Sequence, residues 1–345
     1  MAGSGRGGNT ARDSTVDALR GFATATMVAA NLATLVLPEP HPFWFRLYGS
    51  FAAPTFILLS GMMVSLTWRR HGSRYFAARG ATLLALGALI DLTIWRILPF
   101  TAVDVLYLIG LSLPIVRLLE PSAVLVRWGV PITIFVVTPL LRSALGYTSY
   151  PTEIDLWQST SVVPDRTSIL YHWLVDGWFP IFPWLGFSLL GACLGRVRST
   201  RGFSQPGLTV LGAMVLAVGV GTWCLFPGPL LTRSGSSETF YPPTTGYVIT
   251  AVGLILSLFL ADCCSGARAL DPLRALGESS LAMYLLHLIL IRYAVSPIWP
   301  RLTFPRFGLA YVATVIALIS AAYGLRRLKP RYRPRAFLMT LLLGG

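Results

Sequence analysis

The residues that could carry chemistry in this 345-residue chain are few, and nearly all stand in or beside apolar stretches. Asp17, Arg20 and Asn31 share the first such stretch, where a spacing of three puts Asp17 and Arg20 on one helical face as an ion pair. Asn31 follows fourteen residues after Asp17, close to four turns later, so the three would form one polar stripe lining a channel. His41 lies in the connection LPEPHPFWFRLYGS, whose prolines break regular structure and whose aromatic residues mark a membrane interface. A histidine there can serve as general base or acyl carrier, or it can stand idle at the interface. Asp91 and Asp104 flank the outer ends of two further apolar stretches, with Arg96 as a structural partner. His172 and Asp176 fall in a long loop, and His287 lies inside LGESSLAMYLLHLIL, where a buried imidazole needs a partner. His71, among Arg69, Arg70 and Arg74, reads as part of a solvated basic turn.

The elements that must hold these groups are membrane helices. Hydrophobic residues make up 54% of the chain and charged ones 12%, about half the charged share of a soluble domain, which excludes an ordinary soluble enzyme. Apolar windows near 17–37, 47–67, 77–98, 102–119, 122–141, 179–196, 207–226, 245–262, 278–295 and 307–325 suit helices that cross about 30 Å of hydrocarbon. The net charge of +14 would suit a nucleic-acid binder, but the basic residues punctuate apolar runs and cover no polar face. With ten crossings, 20 of the 28 basic residues fall on the side of the termini and eight on the other, so both termini are expected in the cytoplasm. The sequence therefore predicts an all-α, polytopic helical bundle over 15–328, with a flexible cytoplasmic tail over 1–14 and a basic C-terminal tail over 329–345 that sits against anionic lipid.

The tail MAGSGRGGNTARDS has no apolar core followed by a small-residue cleavage site, so no removable signal peptide is expected. Cys193, Cys224, Cys263 and Cys264 have neither zinc-site spacing nor a disulfide framework; no metal and no permanently bound cofactor are expected. Two outer loops, 142–178 with Glu153, Asp155 and Asp165, and the Pro-, Ser- and Thr-rich 227–244, are long enough to be lids or binding loops. No hydrolase elbow or phosphate-binding glycine loop occurs. On residues alone, an enzyme and a transporter fit equally.

Several stretches resemble one family. RDSTVDALRGFATATMVAANLA, HPFWFRLYGSFAAPTFILLSG, VDVLYLIGL, DGWFPIFPWLGFSLLGACLG, YPPTTGYVITAVGL and LGESSLAMYLLH are similar, in this order over about 12–290, to segments of the transmembrane acyltransferases typified by heparan-α-glucosaminide N-acetyltransferase. The resemblance implies a multi-pass plasma-membrane enzyme. It would move an acyl group, most often acetyl, from cytosolic acyl-CoA as co-substrate to a hydroxyl or amine of a sugar or glycoconjugate at the outer face. His41 takes the family's active-site position and Asn31 that of the polar residue ending the first helix, with Asp104 as their acidic partner. Arg20, Arg79 and Asp17 are expected at the donor's phosphates, and Trp44, His172, Asp176 and His287 at the acceptor. A homodimer is also suggested.

Where eukaryotic members carry an aspartate before the proline of the second helix, this chain has Ser50 and Phe51 before Pro54, so Asp104 or Asp176 would supply the acid. The acyltransferase-3 family is the nearer rival, although its histidine within the first helix is Asn31 here. An exporter of a small or lipid-linked substrate is the other class, and it would need paired broken helices in repeated halves, which the sequence does not display.

Overall fold

A computed structural model describes residues 13–147, 169–201, 205–228, 238–259 and 266–328. The two tails, most of the 142–178 loop with Glu153, Asp155 and Asp165, much of 227–244, and Cys263 and Cys264 lie outside the described residues. The described chain is helical throughout, with no β-strand.

Each of the ten predicted windows falls on a helix. Among the described residues, seven helices are long and apolar enough to cross a membrane: Ser14–Val36 (α1), Phe43–Thr67, Ser73–Trp95, Val124–Leu145 (α6), Gly207–Leu225, Ser280–Ile298 and Phe304–Leu328 (α14). Within them, Phe51 separates α2 (Phe43–Ser50) from α3 (Ala52–Thr67), and α4 (Ser73–Ile90) continues into a π-helical turn, Asp91–Trp95. An eighth crossing would be a pair bent by 55°: α7 (Ile169–Tyr171) and the π turn His172–Asp176, followed by α8 (Ile181–Arg201). The windows at 102–119 and 245–262 hold shorter helices of 15 and 14 residues, α5 (Val105–Leu119) and α10 (Thr245–Leu258). At 1.5 Å per residue these reach about 20 Å, short of the hydrocarbon thickness.

The core packs α3 on α8, α4 on α5, α9 (Gln205–Leu225) on α10, and α1 on α11 (Asp271–Glu278). The α1–α11 crossing is close enough to exclude any side chain: a Cβ on Gly21 would stand 1.8 Å from the Leu273 carbonyl oxygen, and one on Gly277 1.8 Å from that of Asp17. Backbone contact through small residues is how helices gain van der Waals energy in lipid, which offers them no hydrophobic drive to associate. This contact also fixes where α12 (Ser280–Ile289) begins relative to α1.

Charged residues meet at one end. Asp13 caps α1 through Thr15 and Val16 and pairs with Arg198 at 2.6 Å; Arg196 reaches the buried Glu120 at 2.6 Å; Arg326 pairs with Asp271 and Glu278. The guanidinium carbons of Arg69, Arg117 and Arg196 all lie 5.3–5.5 Å from the centre of the Trp68 ring, within cation–π range.

Candidate functional site

At the opposite end of α1 a cavity of about 270 Å³ opens between α1, the α2–α3 junction, the segment 91–105, the entrance to α8, and residues 238–241. Its polar wall includes Asn31, Thr34, Asp91, Asp104, Glu238 and Tyr284, and among the described residues no Lys or Arg lines it. Trp95, Trp178, Phe179, Phe240 and Tyr241 add aromatic faces.

Asn31 projects from α1 and meets His287 of α12 at 2.9 Å between Nδ2 and Nε2. The tautomer follows from the other ring nitrogen. His287 Nδ1 lies 3.3 Å from the Met283 carbonyl oxygen, which can only accept, so Nδ1 carries the proton and Nε2 accepts from the Asn31 amide. His287 is fully buried and is itself absent from the cavity wall, so it acts on the cavity by orienting Asn31. His41 has the opposite tautomer. Its Nε2 donates to the Leu37 carbonyl oxygen at 3.1 Å, which leaves the lone pair on Nδ1. The ring packs edge-on against Phe45, and His41 is not among the residues that line the cavity.

The carboxylates are held by tyrosines and by the backbone. Asp104 caps α5 through Val105 N–H at 2.6 Å and accepts from Tyr284 at 3.0 Å; Asp91 accepts from Tyr107 at 2.5 Å. Asp91, expected beside Arg96, meets the Tyr107 hydroxyl, and the π turn that it opens ends in a left-handed Arg96 (φ 60°). Phe100 (φ 68°) and Val103 (φ 57°) are also left-handed. For a β-branched valine that is a strained conformation, and such strain is held where the surroundings over-determine it. Here the backbone N–H groups of Trp178 and Phe179 bind the carbonyls of Ala102 and Val103, both at 2.9 Å, which straps the loop to the α8 entrance. Glu238 reaches the wall because Ser50 Oγ accepts from both the backbone N–H and the hydroxyl of Thr239 at 2.8 Å, while Tyr247 donates to the Ser50 carbonyl at 2.5 Å. Ser50 therefore anchors a segment that brings an acid to the wall.

The other expected residues lie elsewhere. Asp17 and Arg20 pair at 3.7 Å and Arg79 donates to Tyr75 at 3.0 Å; none of the three lines the cavity, which meets α1 only over Met27–Thr34 and does not continue as a stripe to Asp17. His172 and Asp176 form a buried pair at 3.7 Å just before Trp178 and Phe179. Trp44 is largely exposed and packs edge-on against Phe304. Cys193 donates to the Arg127 carbonyl, Cys224 is exposed, and no cluster of metal-ligating side chains occurs among the described residues. Sequence reasoning missed Glu238, Tyr284 and Trp178 as wall residues. A tyrosine one turn before His287 was the available signal, since residues three apart share a helix face.

The family model for heparan-alpha-glucosaminide N-acetyltransferase, catalytic, matches residues 12–226. The chain belongs to that family. No curated protein matches it. Membership makes it a multi-pass membrane protein of a transferase family, and the matched segment contains Asn31, His41, Asp91 and Asp104. Glu238, Tyr284 and His287 lie beyond the match, so their place at the site rests on geometry alone.

Proposed function

We propose that the chain transfers an acetyl group from acetyl-CoA, arriving on the cytosolic side, to an amine or hydroxyl of a sugar or glycoconjugate held in the Asn31 cavity at the outer face of the plasma membrane. In this reading all ten helical windows cross the bilayer, α5 and α10 with only about 20 Å of it in helix, and both termini are cytosolic, as the 20-to-8 division of basic residues favours. The observation that carries the reading is the cavity wall. Three carboxylates with aromatic faces, and no Lys or Arg in the wall among the described residues, suit a polyhydroxylated or amino-bearing ring better than a nucleotide phosphate. The phosphates belong instead at the arginine-rich end. There Arg69, Arg117 and Arg196 gather over Trp68 with Glu120 as the neighbouring acid, while Arg20 and Arg79 are each already tied to a neighbour, Asp17 and Tyr75.

The chemistry follows from the two tautomers. The acceptor nucleophile attacks the thioester carbonyl, and His41 Nδ1, with its lone pair available, takes the acceptor proton. The carbonyl oxygen becomes an oxyanion, which the second N–H of the Asn31 amide stabilises while His287 holds the first. The C–S bond then breaks, and the thiolate of CoA leaves with the proton from His41. The acceptor must lie between Asn31 and His41. A step through an acetylated His41 is favoured by no contact of its own and is the second outcome of the test. Turnover with labelled acetyl-CoA is measured for wild type, His41→Ala and His287→Gln, each shown folded. The reading expects transfer abolished in His41→Ala and slowed in His287→Gln. Wild-type turnover in His41→Ala overturns the assignment, and label trapped on wild-type protein before acceptor is added establishes the acyl-histidine route.

A further inference from the structure

A second cavity, of about 370 Å³, lies apart from the first, between the C-terminal end of α6, the end of α9 and the first turn of α10. Arg142 lines it with Ser143, Thr222, Thr244 and Thr245, and the remaining wall includes Pro139, Pro242 and Phe226. The Nε and Nη1 atoms of Arg142 are buried and meet no hydrogen-bond acceptor among the described residues, which leaves three N–H groups unmet there. No carboxylate pairs with Arg142 among the described residues. A half-buried guanidinium whose Nε and Nη1 lack acceptors pays part of the desolvation cost of a charge, and an anion at the site would offset it. The helix end adds to this, because the first turn of the 14-residue α10 presents the positive end of its dipole to the same space.

We infer that this cavity is a binding site for the phosphate head of an amphiphile, with Arg142 as its principal donor. The volume is roughly ten times the ~30 Å³ share of a water molecule, so a polyatomic group fits and a simple halide would leave most of it empty. The wall is divided in the same sense as such a ligand: hydroxyls and a cation at Arg142, Ser143, Thr244 and Thr245, ring carbons at Pro139, Pro242 and Phe226. A bilayer phospholipid and a soluble phosphate share this head chemistry, and the experiment separates them.

Full-length protein in detergent is titrated with phosphatidylglycerol or phosphatidylcholine and examined by native mass spectrometry. In parallel it is melted in inorganic phosphate and in chloride at equal ionic strength. Wild type should retain one phosphatidylglycerol more than Arg142→Gln, with affinity for it about tenfold or more above the variant's, as loss of a charged hydrogen bond predicts. Stabilisation by inorganic phosphate alone, absent in Arg142→Gln, would support the same site filled from solution. If Arg142→Gln does not fold, Arg142→Lys keeps the charge with fewer donors and should weaken binding several-fold. Equal lipid retention and equal phosphate response in wild type and variant overturn the inference, as does a wild type that responds to neither probe.

Discussion

Removing the hydrogen bond between Asn31 and His287 should separate its catalytic role from its structural one. In Asn31→Leu the lone pair at His287 Nε2, fully buried, loses its donor, and an unmet buried polar atom costs about 1–3 kcal/mol of stability. The same change removes the proposed oxyanion donor, for which about 10²–10³ in kcat, or about 2.7–4 kcal/mol, is the usual loss. In His287→Leu the Asn31 amide stays at the cavity wall but loses the acceptor that fixes its plane, so kcat should fall about tenfold to a hundredfold by misorientation. The double variant replaces both partners by apolar groups. Its stability should therefore lie above the sum of the two single losses, and its kcat should be no lower than that of Asn31→Leu, since an orienting residue has nothing left to orient. Thermal unfolding of purified protein and turnover of labelled acetyl-CoA read the two quantities separately. Additive losses in both would refute the pairing, and an unchanged kcat in Asn31→Leu would show that Asn31 merely packs.

Three further outcomes follow from other contacts. Gly277→Val should cost about 3 kcal/mol or more, read as lost folded yield or a lowered melting temperature, because its side chain would enter the space of the Asp17 carbonyl. Arg117→Gln should raise KM for acetyl-CoA several-fold with kcat unchanged, as expected for a phosphate contact remote from the reacting carbon. Asp271 accepts from Tyr323 and Arg326, which hold its carboxyl below the usual carboxylate range. A depressed folded-state value adds stability above the unfolded value of about 3.9 and loses it as pH falls through the folded one. Wild type should therefore lose melting temperature below about pH 4 more steeply than Asp271→Asn.

The helices were legible because length and apolarity suffice to mark them, and every predicted window is helical. The count of crossings was less so: α5 and α10 are short, and α7–α8 is bent at a break that its prolines only hint at. Asn31 and Asp104 were legible as polar residues with no solvent to face, and both line the cavity. The helical spacing that placed Asp17 and Arg20 on the face of Asn31 said nothing of their satisfying each other, and so suggested a longer polar stripe than exists. Partners distant in the chain were invisible, above all His287 against Asn31 and Thr239 against Ser50. Nor did glycine announce the left-handed backbone at Arg96, Phe100 and Val103, where the fold imposes the conformation against local preference.

The central claim is transfer across the bilayer from an arginine-rich donor end to a cavity at the other. Oriented, sealed proteoliposomes test it directly, with labelled acetyl-CoA confined to the side of the termini and an amino sugar to the opposite side. Labelled N-acetyl product accumulating on the acceptor side, and lost in His41→Ala, is the predicted result. Product formed only when donor and acceptor share one side would contradict the account.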